Sequence, residues 1–258
     1  MALPSLFLSH GAPTLALEDT AVTRAWAGLG ASLSPRAVVA VSAHWDTAGP
    51  TVTTAPRLAT IHDFHGFPRP LYDIRYEPPG HAALAERVTT LLARGGFATE
   101  GDARRGIDHG GWVPLKFMLP KADVPVIQLS IQSGRDAAHH VSLGKALAPL
   151  RAEGVLVLAS GGIVHNLREL DWQGKGGRVM PWAKAFNDWV AANVASGDEE
   201  ALVDWLARAP EPRRAHPTPD HFLPFFVALG AGGFPGKRLE FGFDLGSLGM
   251  DAYAFGAD

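Results

Sequence analysis

Histidine is the residue type in this sequence with the most scope for chemistry, because several of its eleven copies lie where a ligand site would form. His10 ends the segment LFLSHG, His44 ends VVAVSAHW, and His165 follows VLVLASGGIVHN. Each segment begins with a short apolar run typical of a buried strand. In open α/β sheets, ligands bind where the carboxyl ends of strands meet. Three histidines in that position therefore predict one shared site.

The absence of cysteine limits the metal ligands and nucleophiles that this site can contain. Without a thiol the chain has no disulfide, zinc finger, iron–sulfur cluster or cysteine nucleophile. Any bound metal must therefore be held by nitrogen and oxygen ligands.

Two further histidines are candidates for the same site. His109 lies in GIDHGG, where the preceding Asp108 could orient its ring. His221 lies in HPTPDHF, in the first turn of a helix predicted to begin at Pro219 with Thr218 as its N-cap. It is a better inward ligand than His216, which precedes that helix.

The remaining histidines divide into loop and surface residues. His62 and His65 occupy the segment TIHDFHGFP, a loop predicted to line or cover the site and to contact substrate. The other three lie on or beside alanine-rich helices with charged neighbours, and we predict that they are surface residues: His81, His139 and His140.

Common catalytic motifs are missing from the sequence. It contains no HExxH, GxSxG or GxGxxG pattern, so neither a zinc protease, a serine hydrolase nor a nucleotide phosphate site is indicated. Ser160 is poorly placed to be a nucleophile activated by His165. A zinc-dependent hydrolase with a carboxylate base stays open, as does a binding module without catalysis. Asp63 or Asp108 could serve as that base. The carboxylates that could serve as a metal ligand are Asp220, Asp63 and Asp108, with Asp220 the first choice.

Short apolar segments alternate with alanine-rich segments along the chain. The apolar segments predict buried strands at Ser5–Leu8, Ala37–Ser42, Pro125–Ile131 and Val155–Ser160, and the alternating segment Arg238–Phe243 predicts a half-solvated strand. Helical spacing predicts helices at Glu18–Leu29, His81–Arg94, Ala137–Arg151, Trp182–Ala195, Glu199–Arg208 and Pro219–Leu229. This alternation favours an α/β fold with a mostly parallel central sheet, covered by helices on both faces, and with long loops that form the site. One such loop is the Gly-rich segment Gln173–Gly177.

Length and charge place further limits on the protein. The 258 residues are expected to form a single domain spanning residues 1–258. A net charge of −3 offers no basic surface for a nucleic acid. No apolar run approaches the roughly 20 residues that a membrane span needs, and no signal peptide is recognisable. A cytoplasmic protein is therefore predicted.

Seven sequence blocks, in the same order and over nearly the whole chain, resemble a known family. They are FLSHGAP, VAVSAHW, TIHDFHGFPRPLYDIRYEPPG, GIDHGGWVPL, PVIQLSI, ASGGIVHNL and PTPDHFLP. Each block is short, but together they resemble the class III extradiol ring-cleavage dioxygenases, in the single-domain branch called 4,5-DOPA dioxygenase extradiol.

The resemblance implies a role for each candidate histidine. His10, His44 and His221 would hold a divalent metal, which is Fe2+ for activity, although Zn2+ could occupy the same ligands. His165 would act as the acid/base residue and could serve as a fourth ligand, while His109 would contact the substrate hydroxyls. The implied partners are a small aromatic diol, DOPA-like or another substituted catechol, and O2. The implied protein is a monomer or a small homo-oligomer.

Overall fold

An eight-stranded, mostly parallel sheet forms the centre of the computed structural model, which describes residues 2–172 and 178–257. The predicted loop at Gln173–Gly177 lies outside the described residues. The strands are β1 (Ser5–Ser9), β2 (Ala37–Asp46), β3 (Thr51–Thr53), β4 (Glu100–Asp102), β5 (Val126–Ile131), β6 (Val155–Gly161), β7 (Gly236–Leu239), β8 (Phe243–Asp244), β9 (Leu248–Gly249) and β10 (Ala252–Phe255).

The order of strands in the sheet brings three candidate histidine segments together. It runs β4-β3-β5-β2-β6-β1-β10-β7, while β8 and β9 form a separate pair. β6 pairs in parallel with both β1 and β2, so the carboxyl ends of these three strands meet at one edge. β3 runs antiparallel to β5, and β10 runs antiparallel to both β1 and β7.

Helices cover both faces of the sheet. Along β2, Val39 and Val41 pack into one apolar cluster, whereas Val38 and Ala40 pack into a second, because alternate side chains point to opposite faces. The helices are α1 (Ala21–Leu33), α2 (Pro70–Asp73), α3 (Ala82–Arg94), α4 (His109–Met118), α5 (Ala137–Leu147), α6 (Pro149–Ala152), α7 (Pro181–Ser196), α8 (Glu199–Val203), α9 (Trp205–Arg208), α10 (Pro212–Ala215) and α11 (Leu223–Gly232). Short 3-10 turns lie at Pro13–Leu17 and Leu167–Glu169. The predicted α/β fold with a mostly parallel sheet is confirmed.

Several predicted element boundaries are wrong. The helix predicted at Ala137–Arg151 is two helices, because α6 starts anew at Pro149. Glu199–Arg208 is likewise divided between α8 and α9. His109 begins α4, a helix that was not predicted, and Asp108 caps it by accepting a hydrogen bond from Gly111 N. The apolar C-terminal strand β10 was absent from the prediction.

The helix predicted from Pro219 begins at Leu223 instead. Pro224 occupies its first turn, where a missing N–H costs little, and Thr218 is not the cap. The backbone of Pro219 accepts hydrogen bonds from Phe222 N and Leu223 N in the turn that precedes the helix. His221 therefore lies in that turn and not within the helix.

His140 is a buried residue, which corrects its assignment to the surface. Its ring is fully inaccessible on the inner side of α5, whereas His139 and His81 are half-buried. Nδ1 donates to Asp136 O at 2.8 Å, and Nε2 accepts from Gln132 N at 3.2 Å. The neutral ring is thus fully paired, and a second proton would face the Gln132 N–H. Burial lowers the pKa of His140 to about 4.

This burial predicts a loss of stability in acid. The unfolded chain takes up the His140 proton near pH 6.5 and the folded protein only near pH 4. The free energy of unfolding should therefore fall as the pH drops from about 6.5 to about 4, by about 3 kcal/mol from this ring. His140→Gln is expected to be less stable than the wild type at pH 7. The difference between its free energy of unfolding and that of the wild type, measured by urea titration, should become smaller toward pH 4.

His139→Gln provides the matched control on the same helix. Its deficit relative to the wild type should change much less with pH. A His140→Gln deficit that stays constant between pH 7 and pH 4 would contradict the prediction.

Among the described residues, no helix has the length and apolar character needed to cross a membrane.

Candidate metal centre and substrate cavity

Five of the predicted histidines line one cavity of about 540 Å³. Each comes from a different part of the fold, and the cavity opens at the edge where β1, β2 and β6 end. They are His10 after β1, His44 in β2, His109 at the start of α4, His165 in the loop after β6, and His221 before α11. The tertiary structure thus brings these five side chains together in one place, as predicted.

Strand β2 extends beyond its predicted end and places His44 directly in the cavity wall. The pairing of β2 with β5 is regular to Val41 and resumes only at Asp46, with an irregularity between them. Such irregularities re-aim the side chains that they contain.

His221 is held against the end of β6 by a close approach of two backbones. Gly162 N donates to His221 O at 2.8 Å. A Cβ atom at Gly161 would lie 2.1 Å from that same oxygen. Only glycine fits at position 161, so Gly161 is needed for the approach of the turn that carries His221, whereas Gly162 contributes its backbone N–H.

Three of the five histidines form a group that could hold a metal. His10, His44 and His221 each offer a ring nitrogen within 4.8 Å of the others. The Nε2 atoms of His10 and His44 are 3.0 Å apart. Two nitrogens that bind one divalent ion at roughly 2.0–2.1 Å, close to a right angle, also lie about 3 Å apart. His221 Nε2 is buried and has no hydrogen-bond partner, as expected of an atom that faces a missing ligand.

The other nitrogen of each of these three rings, Nδ1, faces a polar side chain. His10 Nδ1 is 2.9 Å from Ser160 Oγ, and His221 Nδ1 is 2.5 Å from Asp220 Oδ2. His44 Nδ1 lies 3.5 Å from Asp63 Oδ2. Partners of this kind orient a metal-binding imidazole and fix which nitrogen coordinates. The donor set therefore fits a divalent metal bound through three Nε2 atoms.

Burial keeps the three rings in the form that binds metals. Desolvation, followed by the proximity of the other histidines, lowers the pKa of His10 and of His221 well below 6.5. Burial also lowers the pKa of His44 to about 4. Neutral imidazole is the form of histidine that coordinates metal, so no proton has to be displaced near pH 7.

His165 lies beside this group but is not part of it. Its ring stacks on His221 with a centroid separation of 3.4 Å and an interplanar angle of 3°. Among the described residues, neither potential metal group contains His165. Burial lowers its pKa to about 4, so the ring is neutral near pH 7 and does not titrate there as an unperturbed histidine would. The ring therefore offers an unprotonated nitrogen at pH 7, although the same burial makes it a weaker base than a free imidazole.

The remaining cavity wall is mostly apolar, and its charged residues are acids. Glu18 and Asp244 line the mouth, and the described lining residues include no Lys or Arg. The larger apolar side chains are Pro13, Phe64, Phe67, Leu167, Leu170, Trp172, Leu245 and Leu248. Nothing in the sequence indicated that Glu18 or Asp244 would reach the site.

The comparisons with known proteins agree with this geometry. The chain matches the family described as the catalytic LigB subunit of aromatic ring-opening dioxygenase over residues 4–248. It belongs to this family. The predicted resemblance to ring-cleavage dioxygenases is thereby confirmed, and the protein is a LigB-family oxygenase.

Relatives and a solved structure extend over almost the full length of this LigB-family chain. Two relatives bear the name 4,5-DOPA dioxygenase extradiol. That of Beta vulgaris is 41% identical and covers 97% of this chain and 96% of its own. That of Escherichia coli K12 is 44% identical, with 96% and 93% covered. A crystal structure of an uncharacterized E. coli K12 protein is similar with a TM-score of 0.84 and 39% identity, and it covers 98% of this chain and 100% of its own.

LigB-family dioxygenases depend on a metal, and the histidine group supplies a place for one. The three carboxylates considered as ligand or base are already engaged. Asp108 is fully buried and bonded to Arg105 and Gln128, Asp220 to His221, and Asp63 to His109. In the LigB-family protein they hold other side chains in place, which leaves the hydrolase hypothesis without a free base among them.

Three other histidines do not line the cavity of this LigB-family protein. His62 Nε2 donates to Ile74 O at 3.1 Å, and His65 is exposed in the same loop. Their predicted contact with substrate has no counterpart in this arrangement and stays a prediction. His216 is buried, donates to Ile163 O at 2.8 Å and stacks on Phe222. His221, and not His216, therefore faces the candidate metal centre.

Apart from the histidines, the aromatic residues that line the cavity are Phe64, Phe67 and Trp172. Trp45, Trp112 and Trp182 are buried and do not line it. Trp112, for example, donates through Nε1 to Ile61 O at 2.9 Å.

Proposed function

We propose that the protein opens the ring of a DOPA-like catechol with O2, using Fe2+ held by His10, His44 and His221. The observation that carries this proposal is the convergence of three neutral imidazoles in an otherwise apolar cavity. The names of the relatives in Beta vulgaris and E. coli support the choice of a DOPA-like substrate.

The donor set suits the metal that this reaction needs. Bound Fe2+ would supply redox chemistry toward O2 and Lewis acidity toward the catechol hydroxyls, whereas Zn2+ fits the same nitrogens but has no redox chemistry. An all-histidine set carries no charge, so the positive charge of the ion is left for the dianionic or monoanionic diol.

The residues around the ligands then have separate tasks. His165 is neutral, lies directly over His221 and is placed to accept a proton from a catechol hydroxyl and to return it later. His109 is held through Nδ1, so its Nε2 is the nitrogen available to the substrate. Phe64 and Phe67 offer apolar surface to the planar ring and help to exclude water.

The test is an assay of protein loaded anaerobically with Fe2+, with a 4-substituted catechol as substrate. On addition of O2 we expect one O2 consumed for each ring opened, followed as the appearance of a coloured ring-opened product. Protein loaded with Zn2+ should not turn over. Ring opening without O2, or no ring opening of any catechol, would contradict the proposal, and ester hydrolysis by the Zn2+ form would favour the hydrolase.

The charge of the cavity mouth predicts a preference among catechols. Because Glu18 and Asp244 are the charged lining residues described, a cationic substituent should be favoured over an anionic one. We expect kcat/KM for 4-(2-aminoethyl)catechol to exceed that for 3-(3,4-dihydroxyphenyl)propionate by roughly 3- to 10-fold, with 4-ethylcatechol between them. The measurement is a comparison of kcat/KM at low and high salt, because salt should reduce the difference.

Two variants locate the source of this preference. Asp244→Asn should reduce it. Glu153→Gln should leave it unchanged, because Glu153 pairs with Arg87 just before the start of β6, at the end of that strand opposite to the cavity. An equal rate for the three catechols would contradict the predicted preference.

A further inference from the structure

Asp63 contacts two of the cavity histidines at once. Its Oδ1 accepts hydrogen bonds from His109 Nδ1 at 2.9 Å and from His109 N at 3.0 Å. Its Oδ2 lies 3.5 Å from His44 Nδ1. The residue belongs to the loop between β3 and α2, far from both partners in sequence, and its side chain is only 22% exposed.

The hydrogen bonds determine the protonation pattern of His109. A carboxylate oxygen can only accept, so Nδ1 of His109 carries a proton, and in the neutral tautomer the lone pair lies on Nε2. Asp63 is ionised under all ordinary conditions. Burial alone would raise its pKa, but the hydrogen bonds from His109 outweigh burial and lower the pKa to about 2.

The double contact with His109 also fixes the direction of the ring. One oxygen bonds both the backbone N–H and the side-chain Nδ1, so the ring cannot rotate about its first side-chain bond without breaking a charge-assisted hydrogen bond. The position of His109 at the start of α4 anchors the backbone half of this contact.

We propose that Asp63 is a positioning residue that sets the tautomer and ring orientation of His109 and so presents Nε2 to the substrate. The second oxygen of Asp63 faces His44, so the same carboxylate links the substrate-side histidine to a proposed metal ligand. The part of this inference that concerns substrate rests on the proposed function.

One competing role for Asp63 follows from the same distances. His44, Asp63 and His109 offer atoms within 4.8 Å of one another, so Asp63 could instead be a metal ligand. The two roles differ in what its removal does to metal content, and this difference decides between them.

The test compares Asp63→Ala, which removes the acceptor, with Asp63→Asn, which keeps one. In metal-free protein, long-range ¹H–¹⁵N NMR of the histidine rings should show His109 as the Nδ1–H tautomer in the wild type. It should show a mixed or Nε2–H form in Asp63→Ala and recovery in Asp63→Asn. Asp73→Ala, an exposed acid of the neighbouring helix α2, should match the wild type.

Metal content and kinetics supply the other readouts. With Fe2+ or Zn2+ in excess, Asp63→Ala should still bind metal to the wild-type stoichiometry, with an affinity lowered by no more than about 100-fold, while kcat/KM for a catechol falls about 10- to 100-fold, mostly through KM. Loss of the metal would overturn the proposal in favour of a ligand role. An unchanged His109 tautomer in folded Asp63→Ala would overturn it as well. If the wild type opens no catechol, the proposed function fails, but the tautomer result still decides whether Asp63 positions His109.

Discussion

Replacing His165 by alanine is expected to lower kcat by about 10²- to 10⁴-fold, which is the range that one general acid/base group contributes. The ring lies in the cavity, is neutral near pH 7 and stacks on His221 without belonging to either potential metal group among the described residues. Bound metal should therefore stay near the wild-type stoichiometry. Steady-state kinetics and elemental analysis of the same preparation measure the two quantities.

The control for this prediction is a histidine outside the site. His139→Ala alters a half-buried ring on α5 that bonds Gln132, and its kcat should match that of the wild type. If His165→Ala loses its metal, His165 is a fourth ligand. If it keeps the wild-type kcat, the acid/base role is wrong.

Replacing His221 by alanine is expected to abolish specific metal binding, which is the second large effect. The substitution removes one of three converging nitrogens, and the affinity should fall by more than the about 10- to 100-fold typical of losing a hydrogen-bond partner of a ligand. A metal that binds only the folded protein raises the melting temperature. Fe2+ or Zn2+ should therefore raise Tm in the wild type and not in His221→Ala.

A variant of a second proposed ligand distinguishes loss of metal binding from a folding defect of His221→Ala. His10→Ala removes a different nitrogen, from the end of β1, and should also lose the metal-dependent rise in Tm. The comparison uses His139→Ala, which should respond to metal as the wild type does. A wild-type rise in Tm for folded His221→Ala would show that the metal is bound elsewhere.

The strands and several site residues were predictable because their signals are local. Apolar runs marked β1, β2, β5 and β6, and histidines at or just beyond their ends pointed to one edge of a parallel sheet. Predictions that needed the exact course of a turn were weaker. The helix after His221 begins four residues later than predicted because Pro224, and not Pro219, occupies its first turn.

The choice between neighbouring histidines could not be made from the sequence pattern alone. His216 and His221 lie in one short segment, yet His216 packs on Phe222 and Phe186 while His221 faces His10 and His44. The backbone contact of His221 with Gly161 and Gly162 decides which ring faces the centre. The residues in that contact come from distant segments, and no spacing rule relates them.

By itself, the sequence determined the fold class, the supply of nitrogen ligands and the likeness to ring-opening dioxygenases. Composition, periodicity and short motifs can be identified from the sequence without knowledge of the fold. Only the tertiary structure showed which histidine nitrogens converge and that the cavity mouth carries acids. It also showed that Ser160, Asp63 and Asp220 contact the Nδ1 atoms of the cavity histidines. The physical reason is that directional contacts between distant segments depend on how the chain packs, and packing brings together residues that the sequence keeps apart.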